Sequence, residues 1–289
     1  MPACKEMSCK VGYFRCLFLS TLFLFTPYFL SAQTNKLDSL KKVFLAYHKI
    51  DTVKANLLLS ICRESAYLRE PRKQLDIYAP QLLALSYKLN YKKGISYALL
   101  YKGTGSYHKN KLDEERENLL QSLKMMEEMN DVSGQGFCYF ELGRLFGFNN
   151  KFPEAISYYK KAIDAKNKVN DKEGMSLSYS RIGAIYDFTG DYEKAQQYLF
   201  KGLKLAEEIN HINRICESYI CIGIIFYEQN KFEETIQYMN KALALGDTTA
   251  NKQNLMYIYN NIAIAYIGLK DDCFVIIANQ IHQNAKVHR

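Results

Sequence analysis

The sequence predicts an all-α fold: a right-handed superhelical solenoid of antiparallel helix hairpins. Three observations carry this. Proline and glycine number only 5 and 15 in 289 residues, too few turn-formers for a sandwich or barrel that turns every ten residues or so. Residues recur at a period of 40 along most of the chain, the mark of serially stacked units. Within each period the apolar spacing is that of one helix face, twice over.

The register is set by Gly103, Gly143, Gly183, Gly223 and Ala263. Four residues before them stand Leu99, Tyr139, Tyr179, Tyr219 and Tyr259, and one before stand Lys102, Leu142, Ile182, Ile222 and Ile262. Three after come Ser106, Phe146, Tyr186, Phe226 and Tyr266. This spacing lines one side of a first helix, where the small residue lets a neighbour come close. A second helix carries Glu115, Ala155, Ala195 and Thr235 at +12, and Leu119, Tyr159, Leu199 and Met239 at +16. Its face is completed by Ser122, Ala162, Gly202 and Ala242 at +19, with Leu123, Ile163, Leu203 and Leu243 at +20.

Turn chemistry repeats as well. Asn110, Asn150, Gly190 and Asn230 stand at +7, and Asn90, Asn130, Asn170 and Asn210 share a second register. Both residue types tolerate the left-handed conformation that ends a helix. Leu112, Phe152, Tyr192 and Phe232 at +9 plug the base of each hairpin. Gly94, Gly134 and Gly174 form a further series that Arg214 breaks.

The flanks are less regular. Residues 33–94 read as a degenerate N-terminal repeat and cap, with helices through Leu37–Tyr47, Thr52–Leu68 and, after Pro71, Leu75–Leu89. Pro80 is expected to kink or restart the last of these. Residues 95–269 are the array. Residues 270–289 form an atypical tail in which Lys270 and Asp272 replace the turn and plug residues, which favours truncation slightly over a natural cap. At the front, Lys5, Lys10 and Arg15 precede an apolar run, Cys16–Leu30, followed by Ser31, Ala32 and Gln33. That is the pattern of a secretory signal peptide over residues 1–32, and implies an exported, periplasmic or envelope-associated protein that meets a membrane only through this segment if it is retained. Removing it takes away three basic residues and one acid (Glu6), so a net charge of +8 falls to +6. The remaining cations are scattered among acids, which argues against nucleic acid.

Tyr179, Ile182, Gly183, Tyr186, Ala195, Leu199 and Gly202 resemble the tetratricopeptide repeat pattern, with Tyr replacing the usual Trp. The standard unit has about 34 residues; the longer unit here is similar to the long-helix variant of kinesin light chains and bacterial sensor proteins. The resemblance implies a groove lined by first helices, with ligand-facing positions at −6, −3, +1, +4 and +5. Carried onto this chain, these give Phe137, Phe140, Arg144 and Phe148 in one unit, Asp187 and Phe188 in the next, and Glu217 and Tyr227 in the third. Arg181, at −2, lies near the rim. Aromatics with a few charges suit an extended peptide or partner helix, although several of these aromatics could equally pack against the adjacent unit. The carboxylate-clamp pattern of the family is absent, since Phe140 and Arg144 occupy two of its places.

No chemistry stands out beside the repeat. Gly103–Gly105 and Gly134–Gly136 are isolated pairs, without the longer glycine spacing of a phosphate loop. The five histidines share no ligand spacing, and the cysteines form no C-x-x-C. Cys216 and Cys221 do not share a helix face and read as small packing residues. Asp113, Glu114, Glu115 and Glu117 suit the positive end of a helix dipole. The expectation is a non-catalytic protein or peptide-binding scaffold without cofactor or metal. The alternative is the sensory part of a bacterial signal-transduction protein, a histidine kinase or transcriptional regulator, shortened before its membrane helix and output domain.

Overall fold

The computed structural model describes residues 29–67, 74–104, 112–249 and 252–269. Residues 1–28 of the expected leader lie outside the described residues, as do Asn110, Ser106 and the tail from Lys270 on. Among the described residues all regular structure is helical: α1 (Phe29–Ala46), α2 (Thr52–Tyr67), α3 (Leu75–Lys88), α4 (Lys92–Gly103), α5 (Leu112–Glu128), α6 (Val132–Phe148), α7 (Phe152–Lys168), α8 (Lys172–Phe188), α9 (Tyr192–Glu208), α10 (Ile212–Glu228), α11 (Phe232–Thr249) and α12 (Lys252–Gly268). First helices begin at Lys92, Val132, Lys172, Ile212 and Lys252, and second helices at Leu112, Phe152, Tyr192 and Phe232, so both series keep the 40-residue interval.

Helix ends explain why the interval is so regular. Asp131 and Asp171 cap α6 and α8, accepting from the N–H groups of Gly134 and Gly174 at 2.9 and 2.8 Å. His211 takes the same place on α10 through Nδ1, 3.4 Å from the Arg214 nitrogen. Second helices exit through Asn90, Asn130, Asn170 and Asn210, all in the left-handed region with φ between 50° and 55°. Asn150, Gly190 and Asn230 turn the chain between first and second helices with φ of 57°, 81° and 58°. At each turn the reversed residue and its successor bond back to the last helical carbonyls, as in Asn130 N–H to Glu127 (3.0 Å) and Asp131 N–H to Met126 (2.9 Å).

The hairpins close on the glycine register. A Cβ built on Gly103, Gly143, Gly183 or Gly223 would lie 2.6, 2.8, 2.8 or 3.0 Å from Leu119, Tyr159, Leu199 or Met239 respectively. The +16 side chain therefore occupies the space that a side chain at register 0 would need. A second contact recurs in the three hairpins from α6 to α11. Tyr158, Tyr198 and Tyr238 stack on Phe146, Tyr186 and Phe226 at 5.2, 5.5 and 5.4 Å between ring centroids. Lys161, Lys201 and Lys241 lie 5.2, 5.3 and 4.6 Å above those tyrosine rings. The abundance of tyrosine, 23 in a chain without tryptophan, traces in part to this recurring stack.

Units join through different positions. Phe152 packs against Phe188 of the following unit at 5.2 Å, and Phe232 lies against Gly268 of its following unit. The plug aromatics thus bridge units as well as sealing a hairpin. First helices touch first helices of the next unit (α4 with α6, α8 with α10, α10 with α12), while no two second helices make contact of that extent. The first helices therefore form the tighter, inner layer. The Gly94, Gly134 and Gly174 series makes room for Ser86, Met126 and Lys166 of the preceding helix. Where Arg214 breaks the series, the facing residue by period is Ala206, so the bulk has changed sides.

At the N-terminal end α2 and α3 pair as a hairpin against which α1 packs, with Leu37 on Ile61 and Phe44 edge-on to Tyr78 at 6.3 Å. The helix does not restart at Pro80: α3 runs unbroken from Leu75 to Lys88. Pro80 and Asp76, whose carbonyl loses its helical partner, are both exposed, so the freed carbonyl lies on the solvent side of the helix.

Gly183→Leu is expected to lower stability by about 1–3 kcal/mol through overpacking, because its Cβ would sit 2.8 Å from Leu199 and 3.2 Å from the Ala195 carbonyl. A melting temperature equal to wild type would contradict the assigned register.

Candidate functional site

The inner face from α6 to α10 gathers most of the residues expected at the groove, in two groups. The first group is packed inside. Phe140 is 8% exposed and lies 5.5 Å from Tyr159, within a cluster that includes Ile182 and Ile185. Arg144 is 3% exposed. Its Nη2 donates to Glu141 in a short buried ion pair and reaches the Thr104 carbonyl at the end of α4 at 3.5 Å. The expectation that Phe140 and Arg144 face a ligand is corrected accordingly. Phe140 is needed to fill the space between α7 and α8. Arg144 neutralises Glu141 and meets the negative end of the preceding first helix.

The second group remains accessible. Phe148, at the end of α6, is 46% exposed. Phe188 and Tyr227 are half-buried, the first against Phe152 and the second 5.9 Å from Phe232. Asp187 and Arg181 are half-buried as well. Glu217 is held by Arg214 at 2.9 Å. Phe137 is half-buried beneath the Lys166 ammonium, 4.9 Å from its ring.

Electrostatics ties these positions together. Burial holds the Arg181 guanidinium below its ordinary value; Tyr159 and Glu217 oppose the shift, while Arg214 and Arg144 add to it. Arg181 thus feels the charges of both α6 and α10. Burial pushes the Tyr159 phenol up to about 12. Burial likewise raises the Tyr257 phenol, with contributions from the charges of Asp187 and Glu228.

Glu141, Tyr159, Lys166 and Arg214 were missed as parts of this face. Arg214 carried a signal, the break in a glycine series. Tyr159 carried one too, a phenol where the other units have Leu or Met. Lys166 is 7% exposed at its side chain and pairs with Asp171 at 2.8 Å, and nothing in its local sequence marks it. His211, which caps α10, also lies 3.4 Å from Glu173. This contact is the first cause holding the Glu173 carboxyl below its ordinary value.

The described cysteines, Cys62, Cys138, Cys216 and Cys221, are free thiols. Burial pushes Cys62, Cys138 and Cys221 up to about 12 and Cys216 to about 11. Such thiols stay protonated at neutral pH and are poor nucleophiles and metal ligands. Among the described residues no group of three or more His, Cys, Asp or Glu side chains could hold a metal ion.

A serial stack of helix hairpins with its first helices lining one face defines a repeat scaffold. Residues 139–208 match the tetratricopeptide repeat model. No curated protein matches its sequence. Similar solved structures include BtubC from P. vanneervenii, with 12% identity and a TM-score of 0.66 over 75% of this chain and 90% of that one. PH0952 from Pyrococcus horikoshii is a signal transduction ATPase with a tetratricopeptide repeat sensor. It has 16% identity and a TM-score of 0.67 over 90% of this chain, which spans 40% of its length. A Rap protein in complex with Competence and Sporulation Factor has 13% identity and a TM-score of 0.61, covering 86% of this chain and 69% of that one. At these identities the likeness is one of fold.

Glu141→Gln is expected to destabilise the chain by about 3–5 kcal/mol, since Arg144 would be left as an uncompensated buried charge. Replacing both residues by Leu and Met is expected to cost much less; denaturant titration of the three proteins checks the order. The four thiols should react with iodoacetamide slowly in the native state and quickly in denaturant, as read by peptide mass mapping. Because their folded pKa values are raised above the ordinary 9.0, they oppose folding only above the unfolded value. Stability is therefore unaffected by them below about pH 9 and falls as pH rises through the alkaline range.

Proposed function

We propose that this chain is an exported, non-catalytic scaffold that binds a peptide or protein segment along its inner face. The observation that carries the reading is the row Phe148, Phe188 and Tyr227. These accessible aromatic side chains stand on three successive first helices, beside the fixed charges of Arg181, Asp187 and Glu217. One aromatic per unit, at +5 in the first two and +4 in the third, suits an extended segment that places a side chain against each unit. Aromatic anchors in a partly desolvated setting provide most of the energy of such contacts. Export rests on the basic, apolar and small-residue pattern of residues 1–32. The absence of catalysis rests on the protonated state of the described thiols and on the lack of any recognised catalytic motif in the sequence.

The second reading, a sensory module of a signal-transduction protein, draws on PH0952, whose repeat region is a sensor, and on the Rap complex with Competence and Sporulation Factor. Both readings place the ligand on the inner face, and they differ in what the bound state controls.

The test is a combined Phe148→Ala, Phe188→Ala, Tyr227→Ala variant, compared with wild type by site-specific photo-crosslinking from Asp187 in intact cells. The variant should keep its helical content and melting profile within a few degrees, and lose the crosslinked species. Retention of the same crosslinked partner at the same yield would overturn the inner-face assignment. Phe140 and Arg144 are left intact because their removal would unfold the packing.

A further inference from the structure

The turns between second and first helices form one edge of the solenoid, and its first two turns differ from the rest. Residues 39–54 and 87–93 contain seven lysines, one histidine and a single acid, Asp51. That acid is already engaged, accepting from the Tyr47 hydroxyl at 2.7 Å and the Lys54 N–H at 3.1 Å. The turns sit side by side, because the Tyr91 hydroxyl donates to Asn56 at 2.9 Å. Lys42, Lys49, Lys88, Lys92 and Lys93 are exposed there. Lys54 lies 5.4 Å above the Phe44 ring, and Lys41 is 3.5 Å from Asp38. At the later turns of this edge the acids return: Glu127, Glu128 and Asp131, then Asp171 and Glu173, then Glu207 and Glu208.

Aliphatic side chains project among these lysines. Leu45 is 72% exposed, Ile50 57%, and Val43 and Val53 each 50%. Nowhere else in the described chain do four exposed large aliphatics fall within eleven residues. Tyr87 is exposed at the second turn. The other exposed apolar residues, such as Leu120, Val169 and Ile212, are scattered singly, which is ordinary for a protein surface.

We infer that this edge docks on an anionic lipid surface. Lysines that neutralise headgroups, interleaved with aliphatic side chains that enter the boundary with the acyl chains, are the composition of an interfacial membrane site. Each element of the patch has a role: the cations give attraction and the protruding Leu45 and Ile50 give insertion. A nucleic acid would use the charge and leave the aliphatics in water, so lipid accounts for more of the patch. The inference is independent of the groove and of whether residues 1–32 are retained.

The chain lacks tryptophan, so Leu45→Trp installs a single emission reporter at the edge, and Phe200→Trp on α9 serves as a control. With vesicles of phosphatidylglycerol and phosphatidylcholine the L45W emission should shift to the blue, and high salt should reverse the shift by screening. Vesicles of phosphatidylcholine alone should leave it unchanged. The apolar run 16–30 would enter either vesicle, so dependence on headgroup charge and on reporter position isolates the edge. Combining Lys42→Gln, Lys49→Gln and Lys92→Gln should weaken partitioning onto the anionic vesicles about a hundredfold, taking the usual contribution per surface lysine. Three results would overturn the inference. They are an L45W emission indifferent to anionic vesicles, an equal shift in F200W, or a response to a random-sequence DNA duplex in place of vesicles.

Discussion

The structure depends on one steric fact: the backbone of each first helix comes so close to its partner that no side chain fits at the crossing. Gly103, Gly143, Gly183 and Gly223 are the points of contact, and the +16 residue of the second helix lies over each of them. Everything else is arranged around that crossing. It fixes the rotation of both helices in a hairpin, which brings Tyr158, Tyr198 and Tyr238 onto the rings at +3 on one side. On the other side it leaves the first helix free to meet the next unit. A hairpin joined in this way still shows apolar surface on two flanks. Stacking is what covers them, and stability therefore accrues along the row, unit by unit.

Departures from the repeat are compensated locally. Where Leu or Met at +16 is replaced by Tyr159, a phenol enters the inner layer, and Glu141, Arg144 and Arg181 all act on it electrostatically. A buried charge pair of this kind adds little net stability, since desolvation offsets much of the attraction. What it contributes is definition: Arg144 on α6 is tied to Glu141 and to the Thr104 carbonyl at the end of α4. At Arg214 a large residue stands where the other units have glycine, and Ala206 stands where they have Ser, Met or Lys. The guanidinium then has a route to Glu217, 2.9 Å away. The inner face becomes ionic in this unit.

Much of the fold was legible because its signals are local and recur. The asparagines with left-handed φ, the small residues at register 0 and the stripe at +16 each repeat in several units, so an error in one would be corrected by the others. The stack of Tyr158, Tyr198 and Tyr238 escaped notice although it repeats as faithfully. Its rings lie beside the buried stripe, and a tyrosine there looks like an ordinary half-exposed residue. The groove was less legible. Register alone gives a direction, and direction does not separate Phe140, which faces the next hairpin, from Phe148, which ends its helix in solvent. Neighbouring bulk decides that, and it comes from residues about twenty to forty positions away, such as Tyr159 and Ile182. Pro80 misled for a similar reason: the cost of a lost hydrogen bond depends on whether water reaches the freed carbonyl.

The separation of register positions also bears on how such a chain acquires a role. Positions 0, +16 and the turn asparagines are consumed by folding and tolerate few residue types. Positions +4 and +5 of the first helices are only partly constrained. There the chain carries Gly147 and Phe148, then Asp187 and Phe188, then Tyr227 and Glu228, a different pair in each unit. Uniformity at one set of positions and variety at another, within the same helices, is the pattern expected when packing dictates the first and a ligand of non-repeating sequence dictates the second. A purely structural stack would have no reason to vary its charge from unit to unit along a single face. The variation runs along the first helices, and it supports the proposed binding role more directly than any single residue does.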